Sequence, residues 1–366
     1  MLLVKAMEKV KVLQQVLDPS GIGGVSAEFR ALRASKLSEK YEFQSMVLSD
    51  FRPGVNIHDI LFYYKEIIKQ KPDIVHIRGA AIDGLNAVIA AKMARHCKVL
   101  TTVHGMYSDL VYISPLKKWI AKNVIERLIF RLSDGISCVC KTAERRKYFD
   151  RYRSKMLPYV YNRMPKYDLS DQVLVRKEVR EQYGIRDNDV VCIYVGRMTK
   201  EKGLKTLEAT FEILSEKNLN RLVFLFVGDG DYRETFEYNC KKYSIRTIFA
   251  GMQQEVSRYY KASDFFILPS LHENHSIALL EACAAKIPSV ATDCGGNGEI
   301  IYDGFSGILV PIDNAERLSD AIIELLKPSV LTYYKKNMQT LTYEQFSNAA
   351  CDNALDTVYQ QILKND

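Results

Sequence analysis

Short apolar runs alternate along this chain with longer segments whose apolar residues recur at helical spacing. In the first half the runs fall at 10–17, 43–48, 74–77, 99–103 and 136–140, and stretches such as 25–40 and 80–96 between them read as helices. Residues 155–160 form a candidate sixth strand, with Pro158 and Pro165 bracketing a linker. A second series follows at 190–195, 222–227, 247–249, 264–268, 289–291 and 308–310. Unbroken apolar runs separated by helices predict parallel sheets built from βαβ units. Two such series predict two Rossmann-like domains in tandem. Beyond Pro328 the pattern is purely helical, and Cys351, Leu355, Val358 and Ile362 form one apolar stripe.

The junction after the run at 264–268 carries the first candidate chemistry. Glu273 lies on the loop just past a predicted strand, and Glu281 lies about one turn inside the helix predicted over 277–285. Open α/β sheets bind ligands at the carboxyl ends of their strands. The helix start between the two acids offers unpaired N–H groups and a positive dipole end to an anion. Arg197 and Lys202 follow the run at 190–195, where two cations can meet a phosphate. His104 ends the run at 99–103 in the same kind of position. Gly21, Gly23 and Gly24 follow the first run and allow close backbone approach at a helix start, but no full Gly-x-Gly-x-x-Gly is present because Ala27 stands third after Gly24.

A length of 366 residues suits two domains, and the net charge of +7 is compatible with anionic ligands or membrane surfaces without selecting either. No nucleic-acid motif stands out. Eight cysteines without a Cys-x-x-Cys pair read as reduced core thiols, with Cys138 and Cys140 on one face of a strand. No apolar run is long enough to span a bilayer. Residues 1–4 are too short for a signal peptide, Met1 and Met7 are both candidate starts, and a cytoplasmic location is the default.

The spacing of Glu273 and Glu281 resembles the Glu-x7-Glu signature of the retaining glycosyltransferases of family 4, the glycosyl transferases group 1. Further matches are Gly196-Arg197 with Lys202-Gly203, Val227-Gly228-Asp229-Gly230, and Thr292-Asp293-Cys294-Gly295-Gly296 with Glu299. Asp303-Gly304 and Ser306-Gly307-Ile308-Leu309-Val310 complete a resemblance that runs over about 190–327.

This resemblance implies an α/β, GT-B fold, with two Rossmann-like parallel-sheet domains facing a central cleft. An acceptor domain would span 1–162 and a donor domain 163–345, and a last helix over 346–366 would return to the first domain. It implies transfer of a sugar from a UDP- or GDP-sugar to a hydroxyl of a saccharide or lipid-linked saccharide. The setting would be bacterial surface polysaccharide or glycolipid synthesis at the cytoplasmic side of the membrane, with no metal or other cofactor. In that reading Glu281 holds the ribose, while Glu273 holds sugar hydroxyls and steadies charge at the anomeric carbon. Arg197 and Lys202 meet the diphosphate, and the amides of His275, Ser276 and Ile277 face phosphate or sugar. Backbone near Met252 reads the base, the Gly23-Gly24 loop closes on the diphosphate, His104 touches the sugar, and Glu299 lies in the matching loop of the second domain. Asn274-His275-Ser276 departs from the family's Gly-Phe-Gly, and Gly298 stands where a proline is usual. The donor sugar therefore stays open. Asp229-Gly230-Asp231 looks like a metal-binding Asp-x-Asp, but its place after a strand favours helix capping.

Leu116, Trp119, Ile120, Val124 and Leu128 form a second apolar stripe, crowded by Lys117, Lys118, Lys122, Arg127 and Arg131. Two readings are open: an amphipathic helix lying on a membrane, or an ordinary helix packing its stripe on a sheet. Rival functions are a non-hydrolysing nucleotide-sugar epimerase, a catalytically silent nucleotide-sugar-binding partner, and a dinucleotide-dependent dehydrogenase, the last disfavoured by the incomplete glycine fingerprint.

Overall fold

The computed structural model describes residues 8–16, 24–48 and 54–364. Residues 1–7, with the two candidate starts, and the loop holding Gly21 and Gly23 lie outside the described residues. The chain divides into two compact units, residues 1–163 with 344–366, and residues 164–343.

In the first unit the described strands are β1 (Val10–Gln15), β2 (Tyr41–Met46), β3 (Ile74–Ala80), β4 (Lys98–Met106) and β5 (Gly135–Cys138). They pair in parallel in the order β2-β1-β3-β4-β5. Residues 155–160 do not form the sixth strand. Leu157 and Val160 donate to the carbonyls of Ile136 and Cys138, but Pro158 between them has no N–H, and only an isolated bridge at Met156 forms. The helix predicted over 25–40 breaks: an α-helix covers Gly24–Arg33, and Ser35 caps a separate short turn over Lys36–Glu39. Cys140 also lies past the strand, where its sulfur caps the short helix Lys141–Glu144.

The helix Asn348–Lys364 completes the first unit. Its stripe of Leu355, Val358, Tyr359 and Ile362 is buried against Val12, Phe43, Ile74 and Leu100. The Tyr359 hydroxyl is bonded to Gln14 (3.2 Å) and to His76 Nδ1 (2.9 Å). Arg163 bridges Glu28 and Asp352, tying this helix to the one following β1.

The second unit holds β6 (Val190–Val195), β7 (Leu222–Val227), β8 (Arg246–Gly251), β9 (Phe265–Leu268), β10 (Ser289–Thr292) and β11 (Gly307–Val310). Their order is β11-β10-β9-β6-β7-β8, all parallel. All six residues of β7 are buried, as expected of a strand covered on both faces. Phe211, Phe224, Phe226, Phe236 and Phe249 fill the core on one side, with Phe226 and Phe249 stacked at 4.9 Å. Both sheets reverse their strand order once, between β1 and β3 in the first and between β6 and β9 in the second. Such reversal points leave a crevice at the carboxyl ends of the two central strands.

Candidate active site

β6 and β9 flank the reversal point of the second sheet, and the loops leaving them carry Lys202 and Glu273. The Lys202 ammonium lies 2.6 Å from Glu273 Oε1, and the Ser270 hydroxyl donates to the same oxygen at 2.8 Å. Two backbone contacts fix this meeting. Gly203 has φ +72°, and a Cβ there would lie 1.8 Å from the carbonyl oxygen of Pro269. Gly295 has φ +55°, and its Cβ would lie 1.8 Å from the carbonyl oxygen of Glu273. Only a residue without a side chain permits either approach. The Gly296 amide then donates to the Asn274 carbonyl at 2.7 Å, and the Leu271 amide to that of Glu201 at 3.0 Å. The carboxylate is thus held from the β6, β9 and β10 loops together. Arg197 stands exposed on the β6 loop, its carbonyl accepting from the buried Tyr194 hydroxyl at 2.8 Å. Burial, and then the charge of Glu273, keeps Tyr194 protonated.

Ser276 caps the helix Ile277–Ala284, its hydroxyl accepting from the Leu279 amide at 3.3 Å. Glu281 lies one turn further and does not join the Lys202–Glu273 pair. One of its oxygens sits 3.2 Å from the Tyr260 hydroxyl, which also donates to the Ala278 carbonyl at 2.9 Å. Burial pushes the Glu281 carboxyl up to about 7, partly offset by Tyr260. Burial lowers buried His275 to about 4, with Glu299 opposing, so His275 is neutral near pH 7. Met252 is exposed just past β8. Asp229 does not cap a helix. Its carboxylate accepts from the Gly230 amide at 2.8 Å and from Arg233 at 3.2 Å, while Tyr232 occupies the cap of the helix Arg233–Cys240. Among the described residues no three acidic, His or Cys side chains gather as metal ligands.

In the first unit, His104 lies near the end of β4, and Arg78, on β3, brings a guanidinium nitrogen to 3.5 Å from its Nε2. Burial, and then Arg78, pushes His104 down to about 3. Arg78 also donates to Gln14 Oε1 at 2.8 Å, linking β1, β3 and β4 at this edge. Gly24 opens the helix Gly24–Arg33.

Residues 175–341 match the family model for glycosyl transferases group 1, and residues 30–161 match that for glycosyltransferase family 4. The chain belongs to glycosyltransferase family 4. It is 25% identical over 327 residues to the Escherichia coli UDP-Gal:alpha-D-GlcNAc-diphosphoundecaprenol alpha-1,3-galactosyltransferase, covering 85% of this chain and 81% of that one. It is 27% identical to the Bacillus anthracis N-acetyl-alpha-D-glucosaminyl L-malate synthase, covering 81% and 77%. Among solved structures, Anabaena HepE in complex with UDP-glucose superposes with a TM-score of 0.76 at 16% identity over 96% of this chain and 100% of that one. The Thermosynechococcus elongatus sucrose-phosphate synthase does so with a TM-score of 0.76 at 18% identity, over 98% and 100%. These likenesses establish the GT-B fold, and this family 4 member is a glycosyltransferase.

Sequence reasoning singled out Arg197, Lys202, Glu273 and Glu281 as candidates but missed the side chains that contact them. Ser270 and Tyr194 are ordinary residues on or beside strands, and Tyr260 lies in the helix Ser257–Ala262. Ser270 lies three positions before Glu273, and Tyr194 three before Arg197, so these two were local signals. Tyr260 reaches Glu281 across 21 residues, through the tertiary structure.

Proposed function

We propose that this transferase moves a sugar from a UDP-sugar to an acceptor hydroxyl, retains the anomeric configuration, and needs no metal ion. The observation carrying this reading is the Lys202–Glu273 pair at the reversal point of the second sheet, with Arg197 exposed on the same loop as Lys202. As the bond from the anomeric carbon to the β-phosphate oxygen breaks, negative charge grows on the diphosphate and positive charge on the sugar. Lys202 and Arg197 are cations able to take the first without a metal. Glu273, anchored by Ser270 and Lys202, is an anion placed to steady the second. The acceptor oxygen bonds to the anomeric carbon on the departing side, and its proton passes to the leaving phosphate oxygen.

Uridine as the base is supported by Anabaena HepE, whose structures hold UDP and UDP-glucose, and by the UDP-Gal in the name of the E. coli relative. That name also includes a diphosphoundecaprenol, which supports a lipid-linked saccharide as the acceptor class. In this reading Glu281 accepts from the ribose hydroxyls. The helix start at His275, Ser276 and Ile277 offers amides to the donor, and the first unit, with His104, serves acceptor and sugar. The test is Glu273→Ala, assayed with a panel of UDP- and GDP-sugars in EDTA. Transfer should fall at least about a hundredfold, while UDP still raises the melting temperature. Wild-type turnover in the variant, or a requirement for added metal, would contradict the reading.

A further inference from the structure

The second stripe of the sequence does not pack on a sheet. Leu116, Trp119 and Val124 are 69%, 59% and 48% exposed, and Ile120 and Leu128 are exposed with them. The helix Pro115–Ile120 has no buried residue. A π-helical turn over Ala121–Ile125 follows, and the next helix, Glu126–Leu132, buries Ile129 and Phe130 in the core of the first unit. The extra residue of a π turn shifts the helical register. One continuous segment therefore anchors by its second half and presents an apolar face with its first.

The charge on this segment is one-sided. Lys117, Lys118, Lys122, Arg127 and Arg131 are all exposed. The segment's one acid, Glu126, is fully buried, where it accepts from the amide and hydroxyl of Ser108 at 2.8 Å each. No exposed acid on residues 115–132 offsets the five cations. Lys118 and Lys122 line a hollow of about 280 Å³ with Ser108, Arg146 and Tyr148, and Arg146 is paired there with Asp109 at 2.6 Å.

We propose that residues 115–131 dock the first unit onto an anionic phospholipid bilayer. Leu116, Trp119, Ile120 and Val124 enter the acyl boundary, and the cations face headgroup phosphates, one of them at the hollow between Lys118 and Lys122. Charge complementarity selects this occupant. A lysine-rich apolar face with tryptophan at its boundary suits an anionic lipid surface, whereas protein interfaces are depleted in lysine. Among the described residues no helix is long and apolar enough to cross a membrane, so the contact is interfacial.

Trp119 is the chain's single tryptophan and reports on the contact directly. The full chain is mixed, without donor or acceptor, with phosphatidylcholine vesicles or with vesicles also containing phosphatidylglycerol. Its emission should shift to the blue, and the protein should float, only with the anionic vesicles and less so at high salt. Lys117→Glu with Lys118→Glu and Lys122→Glu should weaken partitioning about a hundredfold. Leu116→Glu should weaken it without changing the melting temperature, because Leu116 touches no core. Failure of the wild type to bind, equal binding to both vesicle types, or wild-type partitioning by both variants would overturn the proposal. So would a dimer in sedimentation that Leu116→Glu splits, since a second copy would then cover the face. Because no catalysis is measured, these outcomes are separate from the fate of the donor assignment.

Discussion

Replacing Glu281 by Gln makes a quantitative test of the candidate donor site. The carboxyl lies in the helix Ile277–Ala284 with the Tyr260 hydroxyl 3.2 Å away, and burial raises it from 4.5 to about 7. The folded protein therefore keeps a proton there over a range where the unfolded chain has released it. By linkage, wild-type stability falls as pH rises from about 4.5 to 7 and is level above that. At about 1.4 kcal/mol per pH unit the full shift corresponds to about 3 kcal/mol. Partial exposure of Glu281 lowers the expected figure to about 1–2 kcal/mol. Glutamine has a similar shape and no proton to lose. Relative to wild type, Glu281→Gln should therefore gain about 1–2 kcal/mol between pH 5 and pH 8. Urea unfolding followed by circular dichroism at both pH values measures this double difference. The tryptophan lies in the first unit and is unsuited to the purpose. A difference between variant and wild type that stays constant across this range would refute the burial argument. If Glu281 also accepts from the ribose, UDP affinity of the wild type should rise through pH 7, and that rise should vanish in the variant.

Two further substitutions probe the frame. Gly295→Ala forces the gap to the Glu273 carbonyl to widen from 1.8 Å to at least 3.0 Å, and a displacement of about an ångström at a catalytic group costs about a hundredfold in kcat/KM; activity within about threefold of wild type would show that the clamp does not set the carboxylate's position. Tyr359→Phe strips Gln14 and buried His76 of a shared partner and should cost about 1–3 kcal/mol, read as a melting temperature lower by several degrees; an unchanged transition would mean that water or a rearranged ring replaces the hydroxyl.

Both sheets were legible because strands covered on both faces must be apolar throughout, as 190–195 and 222–227 are. Strand ends were less so: β4 continues beyond the expected end at 103 to Met106, through His104 and Gly105, which break the apolar run. The candidate sixth strand failed on a backbone detail, the missing N–H of Pro158. Lys202 and Glu273 could be paired from the sequence only through the family resemblance, since 71 residues separate them. The clamps at Gly203 and Gly295 were invisible for the same reason: a glycine does not announce which distant carbonyl it admits. The stripe around Trp119 shows the limit of periodicity. Spacing reveals that a helix has an apolar side, but whether that side meets a sheet or solvent depends on a single π turn.

The helix Asn348–Lys364 belongs to the unit whose strands are all made before residue 140. During synthesis the second unit, continuous over 164–343, can close as soon as it leaves the ribosome. The first must wait with Val12, Ile74 and Leu100 uncovered until Leu355, Val358 and Tyr359 emerge. A nonsense mutation around residue 344 would accordingly leave the later-made half intact and strand the earlier-made half as a target for chaperones and proteases.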